Sequence, residues 1–351
     1  MTRRAAIVLA GGKGERFQSC PHMWEDKNLV DLNGKPLLIH AIENVRDVVD
    51  EIVICVNDEK RKTGYLEILK EQGIANVRLL IDERIDHLGG PLVAIFTGLK
   101  SIEADYCLTL PSDMPLIQPK VVEYMFCKAK DSQMVVPMWP NGRLETLVMV
   151  LEKTSVLPIA DTLCQLGRPR SDDIVRGAYS VMFVSIVDEI SAIDPELKSF
   201  VNINSHEDVA RLQPRRVQGT LTENLHVNRG MLPTRELELI REASWLCRKN
   251  KFSEAARIFA SCAARLENEN AFFWAAISRE NEGKSYLSLA QQQSGPELAV
   301  EYAAIGRKAL LKAAFNYGLE AELHEKCRSV FLSDRAWSDK LWAESRANKP
   351  T

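Results

Sequence analysis

The 351-residue sequence has no apolar run approaching the ~20 residues that cross a membrane as a helix, and Met1-Thr2-Arg3-Arg4 leads into only a short apolar strand before glycine. Neither a membrane anchor nor a secretory leader is expected. Charge bias is missing too: 45 basic residues against 48 acidic leave a net charge of -3. That balance sets up no global field to attract nucleic acid or an anionic membrane, so neither is expected as a partner. The eight cysteines, at 20, 55, 107, 127, 164, 247, 262 and 327, form no CxxC pair and have no neighbouring histidine at zinc spacing. No zinc motif is present, and a reducing cytoplasm is the expected compartment. Cys55, inside Ile52-Val53-Ile54-Cys55-Val56, reads as a small core residue.

The 46% hydrophobic content is enough to fill the cores of two domains. Residues 5 to about 212 alternate strand-like with helix-like patterns, which predicts an α/β domain with a mostly parallel sheet. Strands are expected at 5–10, 51–57, 77–81, 105–110, 133–138, 145–151 and 180–185, and helices at 36–45, 60–72, 90–101 and 119–130. Between 213 and 233, Pro-Arg-Arg, Gly-Thr and Gly-Met-Leu-Pro interrupt any period, and the stretch reads as a linker between a 1–212 domain and a 234–351 domain. The latter reads as all-α, with helical periods at 235–249, 252–267, 271–291, 296–315 and 319–332. Ala243, Phe252, Ala255, Phe259 and Cys262 have tetratricopeptide-like spacing that does not continue, so a helical bundle and a degenerate repeat pair both remain open. Trp245, Trp274, Trp337 and Trp342 are expected mostly to pack.

Chemistry concentrates in loops that follow strands. Leu9-Ala10-Gly11-Gly12-Lys13-Gly14-Glu15-Arg16 is a glycine-rich basic loop. Its backbone N–H groups can press close to phosphates while Lys13 and Arg16 add positive charge. Lys27, in Asp26-Lys27-Asn28-Leu29, is a cation placed to oppose charge on an α-phosphate. Asp113 follows the strand Tyr106–Leu110 between Pro111 and Pro115, and is the best candidate ligand for Mg²⁺, a hard ion satisfied by one or two carboxylates. Asp82 ends another strand and could accept hydrogen bonds from a base. Asp31, Asp86 and Asp105 read as surface or capping groups. A phosphate cradle, a cation and a metal-binding carboxylate together predict a nucleotidyltransferase.

The first 5–212 residues resemble the molybdenum cofactor guanylyltransferases of the MobA type. The resemblance rests on LAGGKGERF at 9–17, DKNL at 26–29, LNGKPLL at 32–38, Asn57, Asp82, GPL at 90–92, PSDMP at 111–115 and FVNINSHEDV at 200–209. It implies a GT-A, Rossmann-like nucleotidyltransferase that couples GTP to molybdopterin with Mg²⁺ and releases pyrophosphate. It further implies that Leu9, Ala10, Gly11 and Gly12 line the nucleotide, that Lys27 contacts its phosphates, that Asp82 meets the guanine or ribose end and that Asp113 holds the metal. Asn57, which closes the second strand, joins the nucleotide-binding set. Asn202 and Asn204 either approach the metal or the second phosphate, or form a turn capping the 205–212 helix. The stretch 17–25, with His22, is longer than the family's usual link, which bears on the Arg16 contact. The helical part lies outside the resemblance and is expected to serve self-association or a protein partner. Two alternatives remain: transfer to a sugar, polyol or other cofactor phosphate by the same fold, and a nucleotide-sensing adaptor with a helical docking domain.

Overall fold

The computed structural model describes residues 2–12, 26–85, 88–214 and 217–349. It divides into two units, Met1–Gly230 and Met231–Thr351.

In the first unit β1 (Arg4–Leu9), β4 (Glu51–Val56), β5 (Val77–Ile81), β6 (Tyr106–Pro111), β7 (Met134–Met138), β8 (Met149–Glu152), β9 (Ser180–Ser185) and β10 (Leu225–Asn228) form one sheet in the order β10-β9-β7-β8-β6-β1-β4-β5. Two short strands, β2 (Asp31–Leu32) and β3 (Lys35–Pro36), pair apart from it. The strands β5, β4, β1 and β6 run parallel, as do β7 and β9, whereas β8 lies antiparallel between β6 and β7. Ala5, Ala6, Ile7 and Val8 are fully buried, as expected of a central strand covered on both faces. Each large aliphatic side chain sequestered in this way contributes about 1.5–3 kcal/mol. The helices are α1 (Leu37–Glu43), α2 (Glu59–Glu71), α3 (Pro91–Ser101), α4 (Pro119–Lys128), α5 (Lys153–Gln165), α6 (Asp172–Gly177) and α7 (His206–Arg211).

Two expectations change here. The strand expected from 145 begins only at Met149, because Glu145 to Val148 forms a turn with the Val148 N–H donating to the Glu145 carbonyl at 3.0 Å. The expected 213–233 linker is also corrected. Its residues Leu225–Asn228 join the sheet as antiparallel partners of β9. Around them Asn224 accepts from the Ser185 N–H at 2.8 Å, and Arg229 donates to the carbonyls of Arg176 and Ala178 at 3.0 and 3.2 Å. A chain cut after 220 should therefore be roughly 2–4 kcal/mol less stable than one cut after 230, since several net hydrogen bonds of about 0.5–1.5 kcal/mol each are lost and β9 becomes a bare edge. Urea midpoints of the two truncations check this. Equal midpoints would show β10 to be a passive appendage.

The second unit is all-α: α8 (Thr234–Arg248), α9 (Phe252–Asn268), α10 (Phe272–Gln292), α11 (Pro296–Lys326) and α12 (Val330–Ala347). Helices consecutive in sequence pack on one another. Three of the turns share one geometry, with a left-handed residue at Asn250, Asn270 or Arg328 and the next N–H donating back to Leu246, Ala271's to Leu266 and Ser329's to His324. The break expected near 316–318 is absent. Gly318 costs a helix about 1 kcal/mol relative to alanine, but burial of Ala314, Tyr317 and Ala321 carries α11 through it. Of the tryptophans expected to pack, Trp274 is buried while Trp245 and Trp342 are largely exposed. No helix among the described residues is long and apolar enough to cross a membrane.

Candidate active site

The carboxyl ends of the parallel strands converge on one cleft of about 1210 Å³. Leu9 closes β1, Asn57 follows β4, Asp82 follows β5, and Asp113 follows β6 by two residues. Leu9, Gly11, Gly12, Lys27, Asn57, Asp82, Asp113 and Asn204 all line this cleft. Ala10 does not reach it: the residue is buried, and its N–H donates to the Cys55 carbonyl at 2.9 Å. Lys13 and Arg16, like His22 and Asp86, lie outside the described residues.

Lys27 begins a short helical turn, 27–29, in which the Asn28 N–H donates to the Asp26 side chain at 3.1 Å. Its ammonium donates to Asp113 Oδ2 at 2.6 Å and to Asn204 Oδ1 at 2.7 Å. The Lys27 side chain is 11% exposed and that of Asp113 21%. Asn204 is held for this contact by its own N–H, which donates to Asp208, and by its side-chain amide, which donates to Asn202 Oδ1 at 2.8 Å. The Ile203 N–H donates to the Asp113 carbonyl at 2.9 Å and ties the two loops together. The alternative role of the Asn pair as helix caps goes to other residues, because Ser205 and Asp208 form a reciprocal capping box for α7.

Asp113 Oδ1 is buried and has no hydrogen-bond partner among the described residues. A desolvated anionic oxygen is costly unless something positive meets it. Together with the amide oxygen of Asn204 it forms a hard-oxygen donor set that fits a divalent cation keeping several waters. No group of three or more His, Cys, Asp or Glu suited to a metal occurs among the described residues, and Asp113 is the cleft carboxylate that meets Lys27.

The glycine loop is braced from behind by residues that sequence reading missed. Arg61, in the first turn of α2 and 6% exposed, donates to the Gly12 carbonyl at 2.8 Å, to the Ala10 carbonyl at 3.3 Å and to Asn57 Oδ1 at 3.2 Å, and pairs with Asp26 at 3.3 Å. Tyr65 donates to Asp26, while the buried Asn28 donates to Ala10 and accepts from Ser112. The only sequence signal was a basic residue four positions after Asn57, on what looked like a solvated helix. Gly90, at φ 108°, turns the chain into α3 beside the cleft, and a side chain there would meet the Pro169 carbonyl at 3.0 Å. Glu145 sits in the turn before β8, where burial raises its pKa despite a 2.6 Å bond from the Trp139 indole.

Asp82 stands across from Gly11, where a Cβ would come within 3.3 Å of Asp82 Oδ2. Burial pushes its carboxyl up to about 7, and Oδ1 has no partner among the described residues. The folded protein therefore keeps a proton that the unfolded chain releases near pH 4, so this group's stabilising contribution is lost as pH rises from about 4 through about 7. Asp82→Asn should then melt higher than the parent at pH 8 and at nearly the same temperature at pH 4. Thermal melts at the two pH values check this, and a variant that melts lower at pH 8 would count against it.

Residues 6–179 match the MobA-like NTP transferase domain. A protein of Methanosarcina acetivorans, named as a probable molybdenum cofactor guanylyltransferase, is 35% identical over 207 residues, spanning 59% of this chain and 88% of its own length. A Shewanella baltica protein named molybdenum cofactor guanylyltransferase is 29% identical over 207 residues, spanning 59% of this chain and 94% of its own. Among solved structures, molybdopterin-guanine dinucleotide biosynthesis protein A from Archaeoglobus fulgidus aligns with a TM-score of 0.47 at 22% identity, over 60% of this chain and 96% of that one. The family match ends at residue 179, before the helical unit begins. With most of the Methanosarcina protein spanned at 35% identity, the chain belongs to the MobA-like NTP transferase family of nucleotidyltransferases.

Proposed function

We propose that the first unit transfers GMP from GTP to the phosphate of molybdopterin, with Mg²⁺, and releases pyrophosphate. The observation that carries this reading is the convergence of Lys27, Asn204 and the partnerless Asp113 oxygen at one end of the cleft. The names of the relatives supply the acceptor and the base.

In the reaction an oxygen of the acceptor phosphate bonds to the α-phosphorus, the bond from that phosphorus to the bridging β-oxygen breaks, and pyrophosphate leaves. The acceptor oxygen is already anionic, so no general base is required and no covalent enzyme intermediate forms. Gly11 and Gly12 let backbone approach the phosphates, and Lys27 opposes the charge that grows at the α-phosphate. A divalent cation held by Asp113 and Asn204 would neutralise the leaving pyrophosphate. Asp82, in its charged form, accepts from guanine N1–H and N2–H, so GTP affinity should weaken as pH falls below about 7.

The deciding experiment incubates the purified protein with Mg²⁺, molybdopterin and each of the four nucleoside triphosphates, following pyrophosphate release and product mass. GTP should be used in preference, and the product mass should equal that of a molybdopterin–GMP diphosphate. Preference for CTP, or turnover only with a sugar or polyol phosphate, would reassign the substrate. No pyrophosphate with any acceptor would leave only nucleotide sensing.

A further inference from the structure

Lys27 has been assigned to the nucleotide, yet its ammonium sits on the two oxygens best suited to a metal. It lies 2.6 Å from Asp113 Oδ2 and 2.7 Å from Asn204 Oδ1, with its side chain 11% exposed. The second Asp113 oxygen is left buried without a partner, so one monovalent group only partly satisfies this seat. We infer that Lys27 occupies the cation seat of the free enzyme and keeps divalent metal out until nucleotide draws the ammonium away.

The physical basis is competition for the same donors. A divalent ion bound by these oxygens would face a positive ammonium a few ångströms away in a half-buried site, where screening is weak. The ammonium must leave Asp113 for the ion to enter. On a flexible four-carbon stem, Lys27 can move if another strong acceptor replaces the two oxygens that it gives up. A nucleotide phosphate lying along the Gly11–Gly12 backbone, in the same cleft, is such an acceptor. Nucleotide and metal then bind with positive coupling, and by linkage each raises the affinity of the other by the same factor. The inference rests on the metal role of Asp113 proposed above. It adds that Lys27 serves as a gate before it serves as a phosphate contact.

The test uses Mn²⁺ alone as probe, with free Mn²⁺ measured by electron paramagnetic resonance and no nucleotide present. The full-length protein is compared with Lys27→Met and Lys27→Gln, each checked for fold by circular dichroism, and with Lys27→Met carrying Asp113→Asn in addition. The wild type should bind Mn²⁺ at least tenfold more weakly than either single variant. The added Asp113→Asn should abolish the site. Mn²⁺ should also raise the melting temperature of the single variants more than that of the wild type, since a ligand stabilises only the form that binds it. Wild-type binding as tight as that of both variants, and dependent on Asp113, would overturn the gate while leaving Asp113 as the metal ligand. Absence of a site in all forms would overturn both the gate and the metal role.

Discussion

Asp113→Asn is expected to leave the fold intact and to lower turnover by ~10²–10⁴, the loss that follows when metal-assisted charge stabilisation worth several kcal/mol is removed. The fold should survive because the main-chain tie from Ile203 to the Asp113 carbonyl is untouched, and an asparagine oxygen can still accept from Lys27. The partnerless Oδ1 becomes an amide nitrogen in one orientation, and the anion that would hold the metal is gone. Initial rates of pyrophosphate release at saturating Mg²⁺, together with circular dichroism, measure both parts. Turnover within about threefold of the parent would remove Asp113 from the metal site, given the losses normally seen when such a ligand is lost.

Arg61→Met should destabilise the first unit by about 3–5 kcal/mol, the usual result of removing one partner of a buried ion pair. Methionine keeps much of the volume, so the effect isolates the charge. Among the described residues Asp26 is left buried with Tyr65 and the Asn28 N–H, the Gly12 carbonyl loses the Arg61 donor, and the Ala10 carbonyl keeps Asn28 alone. Urea unfolding followed by near-ultraviolet circular dichroism reads the shift. Adding Asp26→Asn to Arg61→Met should recover part of it, because the stranded charge disappears. A double variant no more stable than the single would mean that the cost lies in the loop carbonyls.

How much of this was legible in the sequence differs from element to element, for physical reasons. The strands β1, β4 and β6 are buried on both faces, and short, mostly apolar runs closed by Ala-Gly, Asn-Asp and Pro leave little ambiguity. The positions just beyond strand ends were legible for the same reason, which is how Asp113 after β6 and Asp82 after β5 came to be singled out. Arg61 was not, because Glu-Lys-Arg-Lys reads as a solvated face, and only the fold turns the third of these inward. The strand Leu225–Asn228 escaped notice since four alternating residues in a Pro- and Gly-bearing stretch carry almost no periodic signal. In the second unit the periods expected at 296–315 and 319–332 are joined in one helix as far as Lys326, because burial of Ala314, Tyr317 and Ala321 overrides the weak helix preference of Gly318. The family resemblance that left Asn204 either near a metal or phosphate or in a helix cap could not reveal that Lys27 meets it, because that contact belongs to the sheet's topology.

Lys27 and Asp113 stand 86 residues apart in the chain, and Lys27 and Asn204 stand 177 apart. Closing such long loops costs entropy that must be met before the contacts contribute, so the three-residue seat forms late in folding. On a ribosome adding about 5–20 residues per second, Asn204 follows Lys27 by roughly 10–35 s. The glycine loop and its strand have left the exit long before the asparagine that completes the seat. Substrate can thus lend full binding stabilisation only to a chain finished past residue 204, and a stalled or truncated product gains none of it, whatever the concentration of nucleotide.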